Sequence, residues 1–178
     1  MKAFAAVALS AVAAGTAAWW VFEKPPSAPQ AIAPAALWAV TLADTRGRPQ
    51  SLGQFRGHIV VANFWATWCA PCREEMPTLV RAQTRWAPRD VRVIGLTADS
   101  PEAVERFGHE LGVNYPLLVG KGEIDEIARR LGNSQGVLPY TAIVDAEGQV
   151  VATKVGAYSE AELDAVLEGQ ARKITERR

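Results

Sequence analysis

Two cysteines, Cys69 and Cys72, are the only ones in the chain. Their spacing, in Trp68-Cys69-Ala70-Pro71-Cys72, allows a local disulfide but no staple across a fold. A cysteine attacks a disulfide only as its thiolate, and a free thiol with a pKa of about 8.5 is little ionised at neutral pH. A helix N-terminus changes this, because its unpaired N–H groups and dipole stabilise an anion. The order strand, Cys-x-x-Cys, helix puts Cys69 at that point and Cys72 about a turn further in, more shielded. The implied chemistry is thiol–disulfide exchange, with Cys69 attacking a substrate disulfide and Cys72 resolving the mixed disulfide. Two buried structural cysteines are the bland alternative. A structural zinc site lacks ligands, since the two histidines, His58 and His109, lie far from the pair and from each other. Haem attachment fails because Arg73, not histidine, follows Cys72.

The elements that position this pair are legible on either side. Ile59 to Trp65 is a continuous β-branched and aromatic run, suited to a buried central strand. Pro71 suits a first helical turn, and the helix runs to about Trp86, kinked at Pro77. Further strands are predicted at Leu37–Leu42, Val91–Thr97 and Leu117–Val119, and a hairpin at Tyr140–Val144 and Gln149–Lys154 across Asp145-Ala146-Glu147-Gly148. Helices are predicted at Pro101–Leu111 with Ser100 as N-cap, at Glu123–Leu131 closed by Gly132, and from Ser159 to about Glu168 with Gly169 as its stop. The alternation indicates an α/β domain with a mixed central sheet.

The chain of 178 residues fits one domain plus a short appendage. Lys+Arg and Asp+Glu are both 19, which gives no reason to expect nucleic acid. Residues 3–22 carry no charge, and twenty helical residues span about 30 Å, the thickness of a bilayer core. Lys2 at one end and Trp19 and Trp20 near the other favour an uncleaved signal-anchor with the domain outside the cytoplasm. A signal peptide cut near Ala17 and Ala18 is the alternative. The division is 1–23 anchor or signal peptide, 24–36 spacer containing four prolines, 37–172 domain, and 173–178 basic tail.

The string from Asn63 to Pro77 (NFWATWCAPCREEMP) resembles the signature of the TlpA/ResA-like branch of the thioredoxin superfamily, exported and often membrane-anchored thiol-disulfide oxidoreductases. Gly136-Val137-Leu138-Pro139-Tyr140-Thr141 resembles the cis-proline loop of that family, and Ile143-Val144-Asp145 with Gly148 the strand and turn after it. The resemblance covers roughly residues 37–170. It implies a thioredoxin-like fold, with a mixed central sheet flanked by helices, behind an N-terminal hydrophobic anchor helix. It implies a cis peptide bond at Pro139, beside the Cys69 sulfur, and a substrate-binding surface of Trp68, Ala70, Pro71 and Leu138. Ordinary thioredoxins carry an aspartate beneath the cysteines; here Asn63 stands there and cannot shuttle a proton. Glu75 matches the family's acid three residues past the second cysteine. At i, i+3 it shares a helix face with Cys72 and can take its proton; Glu74 reads as a solvated first-turn acid. Trp65 and Trp86 are read as packing.

The resemblance further implies that no cofactor is needed beyond the redox-active Cys69–Cys72 disulfide. The implied partners are a membrane thiol–disulfide electron donor and a disulfide-bearing exported client, of the kinds met in cytochrome c maturation or copper-site assembly. The location implied is the inner membrane, domain facing the periplasm, or the soluble periplasm if the leader is cut. Two rival readings compete with this one. A thiol peroxidase of the peroxiredoxin type needs Pro-x-x-x-Thr-x-x-Cys, but Ala62 and Ala66 stand at those offsets from Cys69. A dithiol copper chaperone would want methionine or histidine nearby, and only Met76 is close.

Overall fold

The strand that ends at the cysteine pair is buried along its whole length. In β3 (Ile59–Phe64) all six residues are inaccessible, as a strand covered on both faces requires. The computed structural model describes residues 37–176. The elements before β3 are β1 (Thr41–Asp44) and β2 (Pro49–Ser51); after it come α1 (Ala70–Trp86), β4 (Val91–Thr97), α2 (Pro101–Glu110), β5 (Leu117–Val119), α3 (Gly122–Arg130), β6 (Tyr140–Val144), β7 (Val150–Val155) and α4 (Glu160–Glu176). The strands form one seven-stranded sheet in the order β2-β1-β5-β4-β3-β6-β7. β3 runs parallel to β4 and antiparallel to β6, so the sheet is mixed, as expected.

Alternation along β3 divides the core. Val60, Ala62 and Phe64 join Leu96, Ile127 and Tyr140 on one face. Ile59 and Val61 join Leu79 and Trp86 of α1 and Leu163 and Leu167 of α4 on the other. A period of two sends successive side chains to opposite faces, so helices must cover both. On the α4 side, Arg81 and Arg85 of α1 and Arg89 of the 3-10 turn after it recur every fourth residue and pair with Glu160, Asp164 and Glu168. Trp86 adds its indole N–H to Asp164 at 2.6 Å.

Some expected boundaries moved. The first strand starts at Thr41 rather than Leu37; Leu37 and Trp38 precede it and are buried in the core. The stretch read as a turn also yields β2, because the Asp44 carboxylate accepts the N–H groups of Arg46 and Arg48 and folds the chain back on itself. Pro49 is tolerated there because β2 lies at the sheet edge. The last helix continues past Gly169 to Glu176, through the start of the expected basic tail. Gly169 does not take the positive φ with which a glycine closes a helix, and Leu167 and Ala171 on either side are buried. Ser159 caps α4 as expected: Glu162 N–H donates to its hydroxyl, while the Glu162 carboxylate accepts the Ser159 N–H at 2.9 Å. Among the described residues no helix is long and apolar enough to cross a membrane. The expected anchor and spacer, residues 1–36, lie outside the described residues.

Candidate active site

β3 delivers the chain to the site, and a short loop turns it into α1. Trp65 N–H donates to Leu96 C=O at 3.1 Å, extending the pairing with β4. Thr67 N–H donates to the Asp99 carboxylate at 2.6 Å, which ties the loop to the segment between β4 and α2. Cys69 is the N-cap of α1, with extended backbone, and its sulfur accepts the Cys72 N–H at 3.3 Å. The sulfur thus takes the place an oxygen occupies in an ordinary cap, at the positive end of a helix of 17 residues. Cys69 and Cys72 are joined by a disulfide. Cys69 is 6% exposed and Cys72 1%.

Around them the surface is uneven. Trp68 is 75% exposed, and Ala70, Pro71 and Arg73 are exposed beside it. Trp65 is buried and packs with Cys69, Cys72 and Met76; Leu138, partly buried, packs against the same cluster. The structure therefore brings Leu138 to the cysteines. The Leu138–Pro139 bond is cis, and Pro139 C=O accepts the Gly156 N–H at 2.9 Å. Arg73 lies over the Phe107 ring of α2 at 5.7 Å.

Beneath the pair, Glu75 is 2% exposed while Glu74 is on the surface. One carboxylate oxygen accepts the Tyr158 N–H at 2.8 Å and the other the Asn63 side-chain amide at 3.1 Å. The same Asn63 nitrogen donates to Thr141 Oγ1 at 3.0 Å, and Asn63 and Thr141 are direct partners across β3 and β6. Burial pushes the Glu75 carboxyl above its ordinary range; the two donated hydrogen bonds and the charge of Lys154 act against that rise. The same burial, helped by the Glu75 charge, pushes the Tyr115 hydroxyl up. His58 and His109 sit elsewhere, half-buried before β3 and exposed on α2. The arrangement supplies a sulfur at a helix N-terminus that becomes a nucleophile once the disulfide is reduced, a shielded second sulfur, and a buried acid about one turn further along the same helix.

Sequence reasoning missed Asp99, Thr141, Tyr158 and Asn133. Asp99 and Thr141 follow or sit within apolar strands, where a polar residue signals a partner. Tyr158 contributes a backbone group and leaves no mark in the sequence. Asn133 fixes the loop before Pro139, through two bonds to Val137.

Residues 32–153 match the AhpC/TSA family. The chain is 33% identical over 133 residues to the thiol-disulfide oxidoreductase ResA of Bacillus thuringiensis (strain Al Hakam), covering 74% of this chain and 72% of that protein. A thiol:disulfide interchange protein of the thioredoxin family from Chlorobium tepidum superposes with a TM-score of 0.65 at 28% identity, over 74% of this chain and 92% of that one. A DsbF homologue from Corynebacterium diphtheriae shares the fold with a TM-score of 0.68 at 22% identity, over 83% of this chain and 97% of that one. With its thioredoxin-like fold and its cysteine pair at the head of α1, the chain belongs to the AhpC/TSA family as a thiol-disulfide oxidoreductase of the ResA-like kind.

Proposed function

We propose that this oxidoreductase works as a reductase of disulfides in exported proteins. The observation that carries the reading is Cys69 at the N-cap of α1, its sulfur held by the Cys72 N–H and bordered by the exposed Trp68, Ala70 and Pro71. In the reduced protein, the Cys69 thiolate attacks one sulfur of a client disulfide. A mixed disulfide forms and one client thiolate leaves. Cys72 then loses its proton and attacks the Cys69 sulfur. The second client thiol leaves, and the Cys69–Cys72 disulfide re-forms. Two electrons pass to the client, and a membrane thiol–disulfide donor must return them. The Glu75 carboxylate, on the helix face of Cys72, serves as acceptor for the Cys72 proton and becomes the neutral acid.

The reducing direction follows from what stabilises the thiolate. A helix N-terminus is the evident source, no histidine lies between the cysteines, and Asn63 adds no charge below them. An ionised Glu75 opposes a second negative charge at Cys72. These features support a couple nearer thioredoxin, about −270 mV, than the strongest oxidant, about −120 mV. Clients of the cytochrome c maturation or copper-site assembly type, and a domain held at the periplasmic face by residues 1–23, complete the proposal. The test is equilibration of the purified protein against glutathione buffers, together with insulin reduction. A potential near the oxidant extreme makes the protein a disulfide donor and ends the reductase reading.

A further inference from the structure

A row of three side chains crosses the sheet beneath the cysteines. Asn63 of β3 pairs with Thr141 of β6, and Thr141 pairs with Lys154 of β7. Directly paired residues stand on one face, and this is the face on which Val61 of β3 meets Leu79 of α1 and Leu163 of α4. Asn63 donates to the Glu75 carboxylate at 3.1 Å and to Thr141 Oγ1 at 3.0 Å. Lys154 thus ends the row that begins at Glu75. Its ammonium lies over the Tyr158 ring at 5.0 Å, and the N–H of that same Tyr158 holds the other Glu75 oxygen. The lysine side chain is only 25% exposed, although β7 is the last strand of the sheet.

The ammonium has a second partner. Lys154 Nζ lies 2.6 Å from Glu162 Oε1 on α4. The other Glu162 oxygen accepts the N–H and the hydroxyl of Ser159 at 2.9 Å and 2.6 Å. These bonds, that from Lys154 first, hold the Glu162 carboxyl below its ordinary range, so it stays charged at neutral pH. Glu75 is faced by Cys72 about a turn back on α1, by Tyr115 before β5, by Tyr158 before α4 and by Lys154. Burial pushes both tyrosine hydroxyls up, which leaves them neutral. Among the described residues, Lys154 is the cation that favours the Glu75 carboxylate. An ordinary surface ion pair with Glu162 would need neither the row nor the ring.

We propose that Lys154 is a positioning residue for the proton transfer at Cys72. Its ammonium, shared between Glu162 at the surface and Glu75 within, holds Glu75 as a carboxylate ready to take that proton. In the resolving step the proton leaves Cys72 Sγ for a Glu75 oxygen. The Cys72 thiolate then bonds to Cys69 Sγ, and the Cys69–client bond breaks, its electron pair leaving with the client sulfur. One negative charge thereby passes from Glu75 through Cys72 to the client, and none is created. Without Lys154 a larger share of Glu75 starts as the neutral acid, which cannot accept. This rests on the proposed role of Glu75 as acceptor of the Cys72 proton.

The test uses the reduced full chain and a limiting amount of dithiobis-nitrobenzoate in stopped flow. Two coloured thiolates leave in turn, the first as Cys69 attacks and the second as Cys72 resolves. The rate of the second phase falls as pH drops through the titration of Glu75. Lys154→Met moves that acid limb up by about one pH unit, a tenfold change in proton affinity, and moves the first phase less. Lys154→Arg leaves the limb in place. Glu162→Gln keeps an acceptor for Ser159 but releases the ammonium, and moves the limb down; in the Lys154→Met background it moves nothing. Infrared spectra of the protonated carboxyl, with Glu75→Gln to assign the band, read the same shifts at Glu75 itself. A limb unmoved by Lys154→Met, equal movement of both phases, or a Glu162→Gln shift that persists without Lys154 overturns the proposal. Should Lys154→Met not fold, the presence or absence of the downward shift in Glu162→Gln decides. If Glu75→Gln leaves the limb where it was, the acceptor reading fails and the proposal falls with it. If Glu75→Gln abolishes the limb and Lys154→Met does not move it, the proposal alone fails.

Discussion

The Glu75 carboxylate accepts the backbone N–H of Tyr158 at 2.8 Å, across 83 residues of sequence. The bond ties the helix that carries both cysteines to the loop before α4. In that same loop Gly156 N–H holds the carbonyl of Pro139. The acid, the proline loop and the head of α1 are thus parts of one hydrogen-bonded unit, and perturbing the acid should be felt across it.

Glu75 should make stability fall as pH rises. Its folded pKa lies above the ordinary 4.5, so the folded state holds the proton more tightly than the unfolded chain. No penalty exists well below that ordinary value. The penalty grows as pH rises through it and levels off above the raised folded pKa. Glu75→Gln removes this slope. Urea unfolding of both proteins at intervals from acid to neutral pH checks the sign, and parallel curves would refute it.

Asn63→Asp would set a second carboxylate against Glu75, where the Asn63 amide nitrogen now donates at 3.1 Å. Two carboxylates at that separation cannot both ionise cheaply. The variant should lose about 2 kcal/mol at neutral pH and recover much of it toward acid. Adding Glu75→Gln should restore most of the neutral-pH loss. An Asn63→Asp protein as stable as its parent at neutral pH would show that the two groups do not face each other as described.

Cys69→Ser and Cys72→Ser should each abolish disulfide reduction. They should differ in trapping: Cys72→Ser accumulates mixed disulfide with a client, and Cys69→Ser does not. In the reduced protein Cys69 should be alkylated first, since its sulfur takes the helix cap and is the less shielded of the two. Faster alkylation of Cys72 would reverse the assigned roles.

Gly132→Ala should destabilise the protein by about 2 kcal/mol. Gly132 has φ +105, and a β-carbon there would lie 2.7 Å from Tyr140 Oη. The substitution strains the backbone and pushes the hydroxyl off Leu131 C=O. Denaturant midpoints measure it; a change within about 0.5 kcal/mol would mean the loop yields easily.

The intact chain should fractionate with membranes, and protease added from the periplasmic side should reach the domain. A soluble mature form beginning near Trp19 would replace the anchor with a cleaved signal peptide.

Features that depend on neighbours along the chain were legible without the fold. The apolar run of β3, Pro71 in the first turn and the three-residue spacing of the cysteines are local features. They are governed by backbone sterics, capping and period, so strand, nucleophile and helix could be read together. The same local rules misplaced the ends of β1 and α4, because burial of Leu167 and Ala171 against the other helix outweighs the helix-breaking tendency of Gly169. The exposure of Glu74 and the helix face of Glu75 were legible beforehand; tertiary structure decided how deeply Glu75 is buried. Helix period puts Glu75 on the face of Cys72, but it is the fold that sets it against Asn63 of β3 and the backbone of Tyr158. It also decided the partners of Glu75: a backbone N–H at Tyr158 carries no side-chain signature, and Thr141 is brought beside Asn63 only by strand register. Asn133 belongs to the same class. Its sequence surroundings are those of any polar loop, and the chain's path back over α3 is what turns its amide into a partner for Val137.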